Sequence, residues 1–407
     1  MSMNADVRWR QPFPDQLRGL ALLGIVVVNV PFLALSGEGY TEESVSGSLD
    51  RLVAFLVTML AAGKFYLIFS FLFGYSTLFI LRDGSPANVR IYVRRLVALL
   101  LLGLANVVLL FIGDILVTYA LLGFALMLLF GRTDRGVLRT AAIVWAVAAV
   151  LLVGLTTLGT LGQMLDPESV PVDAAMFDSY NQAMADGTFW QTMVERLHFY
   201  PLVLSNVLLG QGIFAFSAFC LGFLAARHQV LGRLSELRRG FRRCAVWGLS
   251  LGLPLQFALT WLILGPGRPV GLQIEPVSQI ASVALLATAP LLSAGYVGSL
   301  ALLSLKHPRA LAAVAPAGRA SLTVYLGESL VLGLVFCGWG LGYFGRLGAA
   351  GTTAVAIGSW AALVALIALW LRRFPQGPLE TVVGRWTKRP SRRRRGATGK
   401  LEDGDTL

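Results

Sequence analysis

Ten runs of apolar residues follow one another along this 407-residue chain, most of them about twenty residues long. They cover residues 17–36, 55–81, 93–112, 114–130, 137–158, 200–226, 244–265, 277–304, 320–338 and 350–371. A helix needs about 20 apolar residues to cross roughly 30 Å of hydrocarbon. Inside a membrane only helices and closed barrels satisfy their own backbone hydrogen bonds, and the short alternating strands of a barrel do not occur in this sequence. The sequence therefore predicts an all-α, polytopic transmembrane helical bundle of about ten spans.

Basic residues concentrate at every second junction between the apolar runs. Only 14% of the residues are charged, and the formal net charge is +12. The arginine-rich junctions are 82–95, 131–139, 227–243, 306–319 and the C-terminal tail, whereas the junctions between them hold few Lys or Arg. Because short cytoplasmic loops carry the excess of Lys and Arg, we expect both termini in the cytoplasm. This distribution accounts for the positive charge without a nucleic-acid partner, and it favours contacts between the basic loops and anionic lipid.

Four parts are expected along the chain. They are an N-terminal five-span half (1–158), an external amphipathic segment (159–198), a C-terminal five-span half (199–390) and a disordered, basic-then-acidic tail (391–407). In the external segment Phe177, Tyr180 and Met184 recur at helical spacing, which predicts surface helices that serve either as a connector or as a lid. The run at 55–81 is longer than the membrane requires, so we expect it to tilt, to begin as a surface helix or to kink near Gly63.

Neither the cysteines nor the histidines form a metal-binding pattern. Cys220, Cys244 and Cys337 lack CxxC spacing, and the histidines lack HExxH spacing, so we expect no metal site and no disulfide framework. The stretch GLGYFG at residues 340–345 matches a dinucleotide-binding pattern only in its letters, because no strand precedes it. We interpret its glycines as allowing close packing in a turn.

Two polar residues on one face of the first run are costly to bury. Arg18 and Asn29 are eleven residues apart, so a helix brings them to nearly the same face. Arg18 alone is also typical of an anchor whose charge reaches the membrane surface, and Asn29 alone is typical of a hydrogen bond between helices. Their shared face favours a common polar pocket.

Further ionisable residues fall within or beside the later runs. Lys64 and Asp114 are expected near the outer ends of their spans, where an ion pair between them is geometrically allowed; Asp114 is equally suited to capping the helix that follows it. Glu328 is expected near mid-depth, three residues after Tyr325 and on the same face. A carboxyl group there is either an acid or base for chemistry, paired with a cation such as Arg18, or a structural hydrogen-bonding group.

Several stretches of the chain resemble the YeiB-type bacterial membrane proteins. They include DQLRGLALLGIVVVNVPFLAL, GKFYLIFSFLFGYS, GDIL, AGRASLTVYLGESL and GPLE, in the family's order and between about residues 15 and 388. The C-terminal half of these proteins is the domain-of-unknown-function family 418 (DUF418). The chain departs from the family at Asn106, where a histidine is usual, and at Val324 and Glu328, where asparagine and glutamine are usual. The resemblance implies a multi-pass protein of the bacterial cytoplasmic (inner) membrane.

This family is similar, more distantly, to the transmembrane acyltransferases, which include lysosomal heparan acetyltransferase. In one bacterial branch the first span carries an arginine and, after ten further residues, a histidine; here Arg18 matches the arginine and Asn29 replaces the histidine. The resemblance implies that Arg18 and Asn29 bind and polarise an acyl donor such as acyl-CoA, and that Glu328 or His198 replaces the missing base. No permanently bound cofactor is implied. The residues expected to bind substrate are Lys64, Tyr66, Asn106, Asp114 and Tyr325.

Two functions of different classes follow from these residues. We favour a transmembrane acyltransferase-like enzyme that moves an acyl group to a sugar, lipid or small-molecule acceptor at the outer face. The alternative is a small-molecule transporter or exporter that uses Lys64, Asp114 and Glu328 as coupling groups, although the sequence gives no sign of the paired broken helices typical of transporters. A noncatalytic membrane scaffold is a third interpretation. The expected partners are the lipid bilayer and the substrate, and a homo-oligomer is compatible with the sequence.

Overall fold

The computed structural model describes residues 12–165, 177–270 and 276–387, and within these ranges the regular structure is helical throughout. The α-helices are α1 (Pro12–Ala34), α2 (Ser48–Leu60), α3 (Phe65–Leu81), α4 (Pro86–Leu109), α5 (Leu116–Met127), α6 (Asp134–Leu165), α7 (Asp178–Asp186), α8 (Phe189–Asn206), α9 (Ile213–Arg227), α10 (Arg238–Leu264), α11 (Pro276–Lys306), α12 (Ala315–Arg319), α13 (Ser321–Phe336), α14 (Ala349–Arg373) and α15 (Pro378–Thr387). The predicted all-α membrane fold is confirmed. The tail at 391–407 and the acidic residues at 166–176 lie outside the described residues.

The number of continuous spans is lower than predicted. All ten predicted runs are helical, but within the described ranges eight stretches are long and apolar enough to cross a membrane. Helix α5 has 12 residues, and α13 has 16 and follows α12 after a bend of 88°. The expectation of about ten spans is therefore corrected to eight, or nine if the bent pair α12–α13 counts as one. Hydropathy does not distinguish a full span from a short apolar helix enclosed by other helices.

The second span is interrupted where the sequence predicts a kink. Helices α2 and α3 are separated by Ala61–Lys64, and Gly63 adopts a φ of +83°, a conformation that favours glycine. An interruption frees backbone carbonyls that lipid cannot satisfy. Helix α11 places hydroxyl donors at this break: the Tyr296 hydroxyl lies 3.0 Å from the Leu60 carbonyl oxygen, and the Ser293 hydroxyl lies 3.2 Å from the Lys64 carbonyl oxygen, which also accepts the Ile68 amide at 3.1 Å.

Helices α1 and α12 approach each other at the level of their backbones. A Cβ atom at Gly19 would lie 2.1 Å from the Val314 carbonyl oxygen, and one at Gly318 would lie 1.8 Å from the Asp15 carbonyl oxygen. Small residues allow such close contact between membrane helices, where dispersion replaces the hydrophobic effect as the source of attraction. This contact fixes the bent pair α12–α13 against the first helix.

The bundle has one arginine-rich end, which we call the basic end. The first turns of α1, α4, α6 and α10 and the last turns of α3, α9, α11 and α14 lie there, together with α12 and α15. Contacts between loops tie it together; Arg227, for example, donates to Asp134 at 2.7 Å and to the Phe130 carbonyl oxygen at 2.7 Å.

The opposite end is closed by α7. Tyr180 and Met184, which the helical spacing singled out, are buried there against Phe199 of α8 and Phe344. Beneath them lies the buried guanidinium of Arg196, which donates to the Leu109 carbonyl oxygen at the end of α4 at 2.8 Å. Helix α7 and the middle of α8 thus form an apolar plug over the ends of the helices. Between this plug and α4, Arg196 has no carboxylate partner among the described residues and caps the end of α4.

Candidate functional site

A cavity of about 410 Å³ opens at the basic end. Helices α1, α3, α4, α5, α12, α13 and α15 line it, and its volume lies in the range of roughly 300–1,000 Å³ usual for small-molecule sites. Its apolar walls consist of Ile25, Phe69, Phe73, Ile80, Ile91, Leu99, Ile115, Leu116, Leu322 and Val383. Its charged lining residues are Arg18, Arg95, Arg319 and Glu380. The cavity therefore combines an apolar interior with an excess of positive charge.

Arg18, predicted from the first run, lies on the wall of this cavity. Its guanidinium lies 3.3 Å from the Asp15 carboxylate and 3.3 Å from the Gly318 carbonyl oxygen, and its side chain is 18% exposed. It therefore occupies the contact between α1 and α12 and still reaches the cavity. Asn29 lies more than two turns further along α1 and does not line the cavity. Arg18 and Asn29 therefore do not share this cavity.

Arg95 also lines the cavity, and the sequence analysis passed over it as part of a basic loop. It belongs to α4, and its guanidinium lies over the Phe73 ring, 5.7 Å from the ring centroid. The available signal was its spacing, because Arg95 lies three residues after Tyr92 and four before Leu99, both of which are buried. An arginine on the buried face of a span is a candidate for a functional role, rather than for setting the orientation of the protein in the membrane.

Helix α15 covers the cavity and is attached through two reciprocal helix caps. Glu380 accepts hydrogen bonds from the Leu322 amide at 2.7 Å and the Thr323 amide at 3.2 Å, which are free donors at the start of α13. The Thr323 hydroxyl donates to the other oxygen of Glu380 at 2.6 Å and accepts the Leu379 amide at 3.1 Å. Gly377 permits this contact, because a Cβ atom there would lie 2.7 Å from that of Ala320. Thr323 and Glu380 thus join the stretches AGRASLTVYLGESL and GPLE in the fold.

A polar network lies where α5 begins. Asp114 accepts the Leu116 and Val117 amides at 2.7 and 3.1 Å through one oxygen, which is the helix-capping interpretation. Its other oxygen accepts the Asn106 amide at 2.8 Å and the Tyr325 hydroxyl at 3.3 Å. Asn106, Asp114 and Tyr325 are therefore brought together as a buried set, and Tyr325 connects this set to the cavity wall.

The remaining predicted residues lie elsewhere. Lys64 is buried and donates to the Thr58 carbonyl oxygen at 3.1 Å, so the predicted ion pair with Asp114 is absent. Glu328 is 3% exposed; one of its carboxylate oxygens has no hydrogen-bond partner in the described part of the chain, and Arg18 does not pair with it. Tyr66 is buried, with its hydroxyl likewise unpartnered among those residues. His198 is exposed and contacts the edge of the neighbouring Phe199 ring. The sequence could not pair these residues because it does not specify which helices are neighbours.

The described ranges contain no cluster of three His, Cys, Asp or Glu side chains that could hold a metal ion. The chemistry available at the cavity is thus the binding of an anion by arginine, apolar packing, and hydrogen bonding by the Tyr325–Asp114 pair.

Comparisons with known proteins agree with the motifs. Residues 225–390 match the family described as protein of unknown function, DUF418. The uncharacterized protein YxaH of Bacillus subtilis (strain 168) is 29% identical over 388 residues, which cover 90% of this chain and 91% of YxaH. The uncharacterized protein YeiB of Escherichia coli (strain K12) is 26% identical over 385 residues, which cover 90% of this chain and 93% of YeiB. The predicted resemblance to the YeiB-type, DUF418-containing proteins is therefore confirmed, whereas the more distant resemblance to acyltransferases stays a prediction.

Proposed function

We propose that this protein is a membrane-bound acyltransferase-like enzyme that binds an acyl donor, such as acyl-CoA, in the basic-end cavity. The observation that carries the proposal is the composition of the cavity wall, which places arginines beside a continuous apolar lining. An acyl donor of this class has phosphates at one end and a hydrocarbon chain at the other. Arginine pairs with phosphate through parallel hydrogen bonds, and the apolar walls gain free energy when the chain replaces water.

The balance of charge in the cavity supports an anionic ligand. Glu380 is the single acidic residue in the lining, and both of its oxygens accept hydrogen bonds from the start of α13. Arg18 is partly neutralised by Asp15. Since charges interact more strongly away from bulk water, the remaining positive charge favours anion binding.

The Tyr325–Asp114 pair is suited to moving the proton that acyl transfer releases. An acceptor hydroxyl oxygen forms a bond to the thioester carbonyl carbon, and the carbon–sulfur bond breaks so that CoA leaves as a thiolate. The acceptor's proton passes to the Tyr325 hydroxyl oxygen while the Tyr325 proton passes to Asp114, whose oxygen lies 3.3 Å away. Proton return from Asp114 through Tyr325 to the thiolate, which leaves as the thiol, restores the pair.

The experiment measures binding and transfer with purified protein in lipid nanodiscs. Radiolabelled palmitoyl-CoA is expected to bind and to label an acceptor in a membrane lipid and sugar extract. Arg18→Gln is expected to weaken binding by roughly tenfold or more, because a hydrogen bond to a charged group typically contributes at least that factor to affinity. Arg139→Gln is the control, because Arg139 is exposed on α6 at the same end. Absence of both binding and transfer in the wild-type protein contradicts the proposal.

A specific feature favours small-molecule transport as a second candidate. The bend of 88° between α12 and α13, together with the interruption between α2 and α3, gives the discontinuous helices typical of transporters. A kink near Gly63 was one of the expectations from the sequence, whereas the bend at Ala320 was not expected. Proton-coupled uptake into liposomes that is lost in Glu328→Gln, in a protein that binds no acyl donor, would favour transport over acyl transfer.

A further inference from the structure

We propose that Arg95 binds the phosphate of an amphipathic ligand whose hydrocarbon chain occupies the basic-end cavity. This inference rests on the proposed function for the choice of an acyl-bearing ligand. It assigns the head-group contact to Arg95, which belongs to the arginine-rich junction 82–95 and was not among the expected binding residues. The shared chemistry is a phosphate ester attached to an acyl chain, which is present both in a soluble acyl-CoA and in a membrane phospholipid.

Arg95 is placed to contact a ligand in the cavity. Its side chain lines the cavity beside Phe73, over whose ring the guanidinium lies at 5.7 Å. A cation over the face of an aromatic ring retains its hydrogen-bond donors, because the ring accepts charge and not hydrogen bonds. The guanidinium is therefore held in orientation while its N–H groups remain available for phosphate oxygens.

Within the described ranges the Arg95 guanidinium has no counter-ion. The described residues place no hydrogen-bond acceptor at the Arg95 guanidinium and no carboxylate oxygen within 4.0 Å of it. Glu380 is an acidic group whose charge acts on Arg95, but its oxygens already accept hydrogen bonds from the Leu322 amide and from the Thr323 amide and hydroxyl. An arginine in a membrane protein is normally paired, because an isolated charge away from water is costly. A bound phosphate would complete the pairing that the protein leaves open.

The surroundings explain why the anion should carry a hydrocarbon chain. Leu99 and Ile115 continue the cavity wall beyond Arg95, so a head group at Arg95 has apolar surface directly next to it. At the mouth, α15 exposes Val382 (62%) and Trp386 (38%), which is typical of a helix that lies in the head-group layer of a membrane. Lipid head groups and soluble acyl-CoA both reach such a mouth, so the experiment separates these two sources.

The test compares wild-type protein with Arg95→Gln and with Arg94→Gln, the matched control on an adjacent residue that does not line the cavity. Binding of palmitoyl-CoA and of dioleoyl phosphatidic acid is measured by native mass spectrometry and by ligand-induced shifts in melting temperature, with dioleoylglycerol as the chain without phosphate. We expect Arg95→Gln to bind the phosphate-bearing ligand at least about tenfold more weakly, as for loss of a hydrogen bond to a charged group, while Arg94→Gln binds like wild type.

A second readout separates binding from folding. Because Arg95 has no counter-ion in the described part of the chain, Arg95→Gln is expected to melt at the same temperature as the ligand-free wild type or higher, and to lose the shift caused by ligand. Equal affinities of wild type and Arg95→Gln, or a lower melting temperature of ligand-free Arg95→Gln, would overturn the assignment. Binding of palmitoyl-CoA alone identifies the soluble source, and binding of phosphatidic acid alone identifies the membrane source. If ligand binding depends on Arg95 but the wild-type protein transfers no acyl group, the proposed function is refuted and the assignment of Arg95 stands.

Discussion

The hydroxyl of Thr323 and the carboxylate of Glu380 lie 2.6 Å apart, and each caps the helix that carries the other. Two residues that are 57 positions apart in the sequence thereby close one wall of the cavity. Helix α15 is too short to be stable alone, so its position depends on this contact.

Thr323→Val tests the reciprocal caps. Valine has nearly the shape of threonine but neither donates to Glu380 nor accepts the Leu379 amide. We expect a loss of about 1–3 kcal/mol in the free energy of unfolding and faster amide hydrogen exchange in α15. Thr140→Val is the control, because the Thr140 hydroxyl bonds only to its own helix, at the Gly136 carbonyl oxygen. Unchanged exchange in α15 would show that other contacts hold it.

The contact of α1 with α12 predicts opposite effects for two glycine-to-alanine substitutions. Gly318→Ala places a methyl group against the Asp15 carbonyl oxygen, so we expect a loss of about 1–3 kcal/mol and weaker ligand binding through displacement of Arg18. Gly358→Ala, in the interior of α14 with open space around it, is expected to be neutral or to stabilise by up to about 1 kcal/mol. Thermal unfolding in detergent gives both values, and equal melting temperatures for the two variants would argue against a tight contact.

Asp114→Asn separates the capping role of Asp114 from its role in proton transfer. The asparagine retains a carbonyl oxygen for the Leu116 and Val117 amides, but its NH₂ group cannot accept the Tyr325 proton. We expect a folded protein that binds donor within about twofold of wild type and transfers acyl groups roughly 100-fold more slowly, the lower limit for loss of acid–base catalysis. Tyr325→Phe should give a similar loss of transfer. Full activity of Asp114→Asn would reduce Asp114 to a helix cap.

Arg196→Ala tests the plug at the opposite end. The substitution removes the donor to the Leu109 carbonyl oxygen and empties a fully buried site, so we expect a loss of about 2–5 kcal/mol. Arg196→Met fills most of the volume and is expected to lose less. Arg346→Ala at the same end should stay within about 0.5 kcal/mol, because Arg346 is exposed. Comparable melting temperatures for Arg196→Ala and Arg346→Ala would contradict a structural role for Arg196.

The sequence predicts the membrane helices well because hydropathy over about 20 residues reports directly on the surrounding solvent. For the long second run it left a tilt, a surface helix and a kink near Gly63 open, and the chain breaks near Gly63 with a positive φ. The bend between α12 and α13 was not predictable in the same way, because it occurs at Ala320, which has no special backbone preference.

The site was predicted less completely, for a physical reason. Lipid-facing and protein-facing residues are both apolar in a membrane protein, so periodicity does not reveal which helices are neighbours. Arg18 and Tyr325 were identified because they are polar residues of a kind that is rare in spans. The ion pair of Lys64 with Asp114 was inferred only from their similar expected depth, and Lys64 instead donates to the Thr58 carbonyl oxygen. Arg95 was missed because an arginine near a basic junction has the same sequence signal whether it faces water or a cavity.

The shortness of α5 has a consequence for the barrier between the two sides of the membrane. Twelve helical residues rise about 18 Å, against roughly 30 Å of hydrocarbon. Helix α5 therefore cannot span the hydrocarbon by itself, and the side chains packed around its ends, Ile112 with Tyr180 and Met184 among them, have to complete the barrier.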